Sequence, residues 1–275
     1  MKTHVNINLL FFTCSCIFSQ ETQKIKGDRE VVSVTQNLDK YFNALEITDN
    51  ISVVLISGKA NAYTLTADQN LQDIVKFTVI NKVLKISTSA KITKSKDLEV
   101  ELTVKDLERI VLKDDASLKT AKKMKIEKMF IDADNSSEFD LDLDVKEIGI
   151  KMHEKASGKI DLKAKDLQIE MTDKANLKGK LNVNTLMVNI DDKANLDLKG
   201  DSGNSFFGLK KSAGVDAKNL KSTTAEVECS NTTEIALKVS RKLAINAADK
   251  SKVLVYGKPD IELKGFTDKA RVIKK

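Results

Sequence analysis

Apolar and polar residues alternate by two through most of this chain, and the alternation itself recurs. The recurrence surfaces as Asp-Lys-Ala in TDKANLKG, DDKANLDL and TDKARVIK, with echoes in HEKASGKI and ADKSKVLV. Its small residue serves as an anchor: Ala116, Ser137, Ala156, Ala175, Ala194, Ala213, Thr233, Ser251 and Ala270, spaced 18 to 21 residues apart and most often 19. Four places before the anchor every residue is apolar: Leu112, Ala133, Met152, Met171, Ile190, Leu209, Cys229, Ala247 and Phe266. Six places before it the column is apolar from Ile110 to Ile245 and breaks only at Lys264. Two places after it the run is Leu118, Phe139, Gly158, Leu177, Leu196, Val215, Ile235, Val253 and Val272. A period of two is that of a half-buried strand. Each repeat therefore predicts an alternating strand, a bend at the anchor and a second alternating strand.

One such unit cannot bury its apolar face alone, but stacked units close a common core. The expected fold is all-β: a right-handed parallel β-helix, or solenoid, with coils of about 19 residues. The hand follows the preference of parallel crossovers. Met152, Met171, Ile190 and Leu209 should then lie on successive rungs, ~4.8 Å apart. Tetratricopeptide and ankyrin repeats need 33 to 34 residues, and the leucine-rich signature is missing.

Upstream the period blurs while the texture persists. Strands are expected at residues 43–47, 51–56, 62–66, 75–80, 83–87 and 98–104, with a short helical turn over 68–73 and a polar loop over 88–97. Residues 21–30 read as a loose leader. The division expected is a signal peptide at 1–20, a β-rich N-terminal portion at 21–112 continuous with the solenoid, and regular repeats at 113–275. The signal peptide rests on Lys2 followed by the apolar run Val5–Phe18 and a polar exit at Ser19. Fourteen residues are too few for a membrane span, and flanks of Cys14 and Cys16 fit a lipid-attachment signal poorly.

A family resemblance runs through roughly residues 30–260, is strongest over 42–112, and is carried by mostly apolar positions. Phe42, Ile47, Ile51, Val53, Gly58, Asn70, Leu71, Val83, Leu84 and Ile86 fall on the opening pattern of the "putative auto-transporter adhesin, head GIN domain" family of Bacteroidetes, which residues 42–87 resemble. The resemblance implies a signal peptide followed by a secreted or surface β-helix. Family repeats often bend with Ser-Gly pairs, whereas this chain uses Asp-Lys-Ala.

Charge adds limits. The 46 basic and 40 acidic residues leave a net charge of only +6, so nucleic acid is not an expected partner. Without residues 1–20 a single Cys, Cys229, and a single His, His153, remain. No intrachain disulfide, zinc set or Ser-His-Asp system follows from that inventory. Cys229 lies in an apolar column and reads as an inert buried thiol.

The most ordered polar column lies two before the anchor: Asp114, Asn135, Glu154, Asp173, Asp192, Lys211, Asn231, Asp249 and Asp268. Stacked carboxylates such as Asp173 and Asp192 are a calcium candidate, but Asp and Asn in bends are first of all turn chemistry. Lysines at 155, 174, 193, 250 and 269 sit beside them. Phe139, Phe207 and Phe266 fall in core columns, and Phe206-Phe207 among Gly203, Gly208 and Gly214 marks the least regular repeat, expected to hold a bulge, with a recognition site as the alternative. The basic C-terminal run Ala270–Lys275 should discourage end-to-end stacking.

No catalytic residue and no cofactor is expected. The function expected is a non-catalytic adhesive or structural role at the cell envelope, toward an unspecified surface glycan or protein. The alternative is acidic-glycan binding, for instance by Lys119–Lys128, or a polysaccharide lyase or hydrolase.

Overall fold

The computed structural model describes residues 23–275, so the expected signal peptide lies outside the described residues. In chain order the strands are β1 (Lys24–Lys26), β2 (Val31–Asn37), β3 (Ala44–Ile47), β4 (Ser52–Ser57), β5 (Ala62–Asp68), β6 (Val75–Ile80), β7 (Val83–Thr88), β8 (Lys91–Lys94), β9 (Leu98–Val104), β10 (Arg109–Leu112), β11 (Ser117–Thr120) and β12 (Met124–Ala133). They continue as β13 (Glu138–Met152), β14 (Ser157–Met171), β15 (Asn176–Ile190), β16 (Asn195–Leu209), β17 (Gly214–Cys229), β18 (Glu234–Ala247), β19 (Lys252–Gly257), β20 (Asp260–Phe266) and β21 (Arg271–Lys274). The result is a β-solenoid of about nine turns with coils about 19 residues apart.

Each long strand folds over the core at a mid-strand corner. In β13 the alternation slips there: Val145 and Ile148 are buried while Lys146 and Glu147 between them are both exposed. A first arm, 138–144, pairs in parallel with 157–163, and a second arm, 147–152, pairs with 166–171. Between coils the chain reverses in a tight turn at the anchor. The anchor N–H donates to the carbonyl three residues back, as from Ala156 to His153 at 3.0 Å and from Ala175 to Thr172 at 3.2 Å. The anchors are small because they point into the core, where Ala116, Ser137, Ala156, Ala175, Ala194 and Ser251 are fully buried.

The rungs fall as the columns require. Met152 pairs with Met171, Met171 with Ile190, and Ile190 with Leu209. A second interior ladder runs Ile110, Ile131, Ile150, Ile169, Val188, Phe207, Val227, Ile245. Burying each such side chain stabilises the coil by about 1.5–3 kcal/mol. One interior position is glycine for a packing reason. A Cβ on Gly158 would collide with the ring of Phe139 one coil earlier, so the large and small residues share one volume.

The irregular repeat does carry a bulge, but not at Phe206-Phe207, whose pairing is regular. The register shifts where Asp197 and Lys199 face Asp216 and Asn219, so the extra residue lies in β17. That residue accounts for the 20-residue interval between Ala213 and Thr233.

The last coil departs from the sequence columns. A register shift after Ile245 places Leu263 opposite it and leaves Lys264 as the extra residue. Phe266, expected in the core, is 47% exposed because no further described coil covers it.

The first coils explain the blurred period. β3 lies between β7 and β10, and β4 lies between β9 and β11. The chain thus lays down β3–β4, turns back to build β7 and β9 on their far side, and then crosses to β10 to resume forward winding. Antiparallel strands close this end: β6 on β7, β5 on β9, and β2 on β5. Residues 21–30 are therefore no loose leader where described, since β1 pairs with β8. That pairing also puts a strand inside the expected loop 88–97. The helical turn near Asp68 is a 3-10 turn, Gln69–Leu71.

Candidate functional site

Three polar assemblies stand out, and two prove to be devices of folding. The first is the turn column. Asp114, Asn135, Glu154, Asp173, Asp192, Lys211, Asn231, Asp249 and Asp268 all have φ between 53° and 60°. Only Gly, Asn and Asp enter this left-handed region cheaply, which is why the column favours them. The side chains also serve the neighbouring coil: Asp173 accepts the Glu154 N–H at 3.2 Å, Asn231 that of Lys211 at 3.1 Å, and Asp249 that of Asn231 at 2.7 Å. Asp49 belongs to this column (φ 63°), and its N–H donates to Asp114 at 3.3 Å. Sequence reasoning missed Asp49 because its anchor is Ile51 and its spatial successor is 65 residues away.

The calcium candidates are engaged by protein groups. Asp173 accepts the Thr172 hydroxyl at 2.7 Å, and that bond, followed by the Glu154 N–H, holds its carboxyl below the usual range. Asp192 is met by the Lys211 ammonium at 2.8 Å, which also lies 3.3 Å from Asp191. Lys211 thus brings a built-in cation to the ladder, and its pKa is raised, first by the Asp192 bond. Among the described residues no group of three His, Cys, Asp or Glu is placed to share an ion. His153 bonds Thr172 through Nδ1 at 3.1 Å. Cys229 is buried, and desolvation pushes its thiol up.

The second assembly is a clasp at the folded-back end. Asp68 is fully buried. It accepts the N–H groups of Arg29 at 3.0 Å, Lys96 at 3.0 Å and Asp97 at 3.3 Å, joining the chain before β2 to the chain before β9. Burial pushes its carboxyl up, but these three donors outweigh it and leave the pKa lowered. Gly27 is required alongside, because a Cβ there would overlap the Asp68 carboxylate. Asn70 completes the fastening through Asp28 and the Lys26 carbonyl.

The third assembly is the pair of outer faces, and here the two arms differ. The first arm presents charge ladders such as Asp140–Lys159–Lys178–Asp197, with Lys180 bonded to Asp161 at 2.7 Å. Of the basic run, Lys119 and Lys123 are likewise paired, to Glu99 and Asp142, while Lys128 pairs with Glu147 at the start of the second arm. The second arm carries one outward column of Phe130, Gly149, Gln168, Met187, Phe206, Glu226, Ala244 and Glu262. Met187 is 44% exposed. Phe130 leans toward Gly149 and stacks under Arg109 at 4.7 Å, and Phe206 leans toward Gly208. The glycines leave two shallow hollows on this face, of about 540 Å³ beside Phe130 and Met187 and about 560 Å³ beside Phe206.

Comparison with known proteins agrees with this architecture. A "putative adhesin" from Parabacteroides merdae is similar in structure with a TM-score of 0.69 at 16% identity, over 92% of this chain and 99% of that one. A "putative adhesin" from Parabacteroides distasonis gives 0.67 at 16%, over 92% and 98%. A "putative lipid binding protein" from Parabacteroides distasonis gives 0.59 at 17%, over 92% and 100%. At such identities the likeness is one of fold. No curated protein matches the chain. The family model described as "Putative auto-transporter adhesin, head GIN domain" matches residues 41–162 and 152–259, and the chain therefore belongs to that family.

Proposed function

We propose that this protein is an exported, non-catalytic adhesive scaffold of the cell envelope, and that it makes contact through the outer face of the second arm. The observation that carries the reading is the column Phe130–Met187–Phe206, which lies among ion pairs such as Lys151–Glu170 on the second arm, whereas the first arm presents charge ladders. Outward apolar side chains, Met187 exposed and Phe130 and Phe206 half-buried, flanked by amides and carboxylates suit a contact surface. The apolar run at Val5–Phe18 and the family membership support export. In the turn ladder, carboxylates are engaged by backbone N–H groups, hydroxyls and Lys211, which fits a structural role.

The test is adherence. Beads coated with the protein are applied to immobilised acidic polysaccharides, neutral glycans and extracellular proteins. The reading expects retention on one class, at least a tenfold loss in Met187→Lys/Phe206→Ser, and no loss in Lys159→Ser/Lys178→Ser on the first arm. Release of soluble sugar from any polysaccharide would replace the scaffold reading with the lyase or hydrolase reading. Equal loss from both double variants would remove the second-arm face as the contact.

A further inference from the structure

The interior ladders do not stop where the covered core stops. Leu263 continues the column of Ile245, and Ile261 that of Leu243, on the coil of β20 and β21. Yet Ile261, Leu263 and Phe266 are 38%, 53% and 47% exposed, whereas Leu243 and Ile245 one coil earlier are fully buried. These are core-type side chains with nothing packed above them among the described residues, along a strand whose outer edge is unpaired.

We infer that two copies of this protein associate end to end through β20, C-terminal coil against C-terminal coil. Three observations select a second copy in this orientation. First, the opposite end finishes in the antiparallel strands β2 and β6, which do not continue the parallel interior columns, so head-to-tail stacking would not extend the core ladders and an open filament is disfavoured. The contact that remains is the same patch on both copies, a two-fold, self-closing interface.

Second, the edge is self-complementary. In an antiparallel pairing centred on Leu263, the leucine faces its own copy and Glu262 faces Lys264 of the other copy, twice over. Lys264 already lies on the outer face, bonded to Glu226 at 2.6 Å.

Third, the other arm of the same coil is guarded. Lys274 of β21 stands opposite buried Val255, so a charge occupies what would be an interior position. The basic run Ala270–Lys275 thus discourages stacking along the first arm, as its sequence suggests, but β20 is left open. The contact accordingly runs along the second arm.

Sedimentation velocity on the purified protein across micromolar concentrations tests this. The expected result is a monomer–dimer equilibrium with no larger species. Leu263→Lys should weaken it at least roughly tenfold. Because Leu263 is exposed, circular dichroism should stay unchanged in that variant, and so should Tm at concentrations where the wild type is monomeric, which excludes unfolding as the cause. Glu262→Lys and Lys264→Glu should each weaken self-association, while an equal mixture of the two variants should dimerise better than either alone. A monomer at every concentration, a dimer indifferent to Leu263→Lys, growth beyond the dimer, or a mixture no better than its parents would each overturn the inference.

Discussion

The two ends of this solenoid face the same physical problem and answer it differently. A stacked coil is stable only if both its neighbours exist, so each end must leave core side chains and strand edges unmet. At the start the chain doubles back. It builds β7 and β9 behind β3 and β4, pads them with antiparallel β5 and β6, and locks the loops with the Asp68 clasp. Leu84 of β7 is consequently fully buried, although it lies in the terminal coil of that end. At the finish no such return is made among the described residues. Leu263, in the same interior column as Leu84, is 53% exposed. Position along the stack, rather than residue type, decides what a leucine contributes.

Truncating these two leucines should give the largest contrast. Leu84→Ala should cost about 2–5 kcal/mol in urea unfolding, because it opens a cavity in a sealed core. Leu263→Ala, measured in the same way at low protein concentration, should cost below about 1 kcal/mol. Equal costs would mean that the first end is not sealed or the last is not open. Filling the one glycine of the interior anchor-plus-two column should come next. Gly158→Ala restores bulk where most repeats carry it, yet should destabilise by about 1–3 kcal/mol through overpacking against Phe139.

The clasp adds a pH dependence confined to the sealed end. The Asp68 pKa is lowered on folding from an ordinary value near 3.8, so its stabilisation is present above that value and fades as pH falls through the folded one. Acid titration should release the first end before the regular coils. The near-ultraviolet signal of Tyr63, stacked 3.6 Å from Phe77, reports this, and Asp68→Asn should remove the low-pH step. The smallest effect concerns a single hydroxyl. Among the described residues Ser137 Oγ is buried without a partner, whereas the Ser251 and Thr233 hydroxyls return to the carbonyls of Ala248 and Ser230. Ser137→Ala should therefore raise stability by up to about 1 kcal/mol, and Ser251→Ala should not.

The regular coils were legible because one small anchor and three apolar columns repeat with the period of the coil. The rungs from Met152 to Leu209 follow from that spacing alone. The folded-back end was not legible in the same way. Reversal makes spatial neighbours of residues far apart in sequence, so Asp49 and Asp114 lie 65 residues apart. Strands β1 and β8 are short and Lys-rich, and only their mutual pairing makes them strands. Column counting failed at Lys264 and Phe266 because the bulge and the missing cover are properties of the stack's end. For the candidate site, the turn ladder was visible as chemistry, but its geometry was needed to find what occupies Asp173 and Asp192. The sequence marks Phe206 but not the column Phe130–Met187–Phe206 as a unit. Its members are outward-facing and separated by Gly149 and Gln168, and only registered coils align them.

Hydrogen exchange along the chain tests the contrast between the ends most directly, using Leu263→Lys so that self-association does not contribute. Protection in β7 and β9 should match that of β14 and β15, and should fall steeply in β20 and β21. Rapid exchange in β7 and β9, or slow exchange in β20 equal to that of β15, would contradict a solenoid sealed at its first end and open at its last.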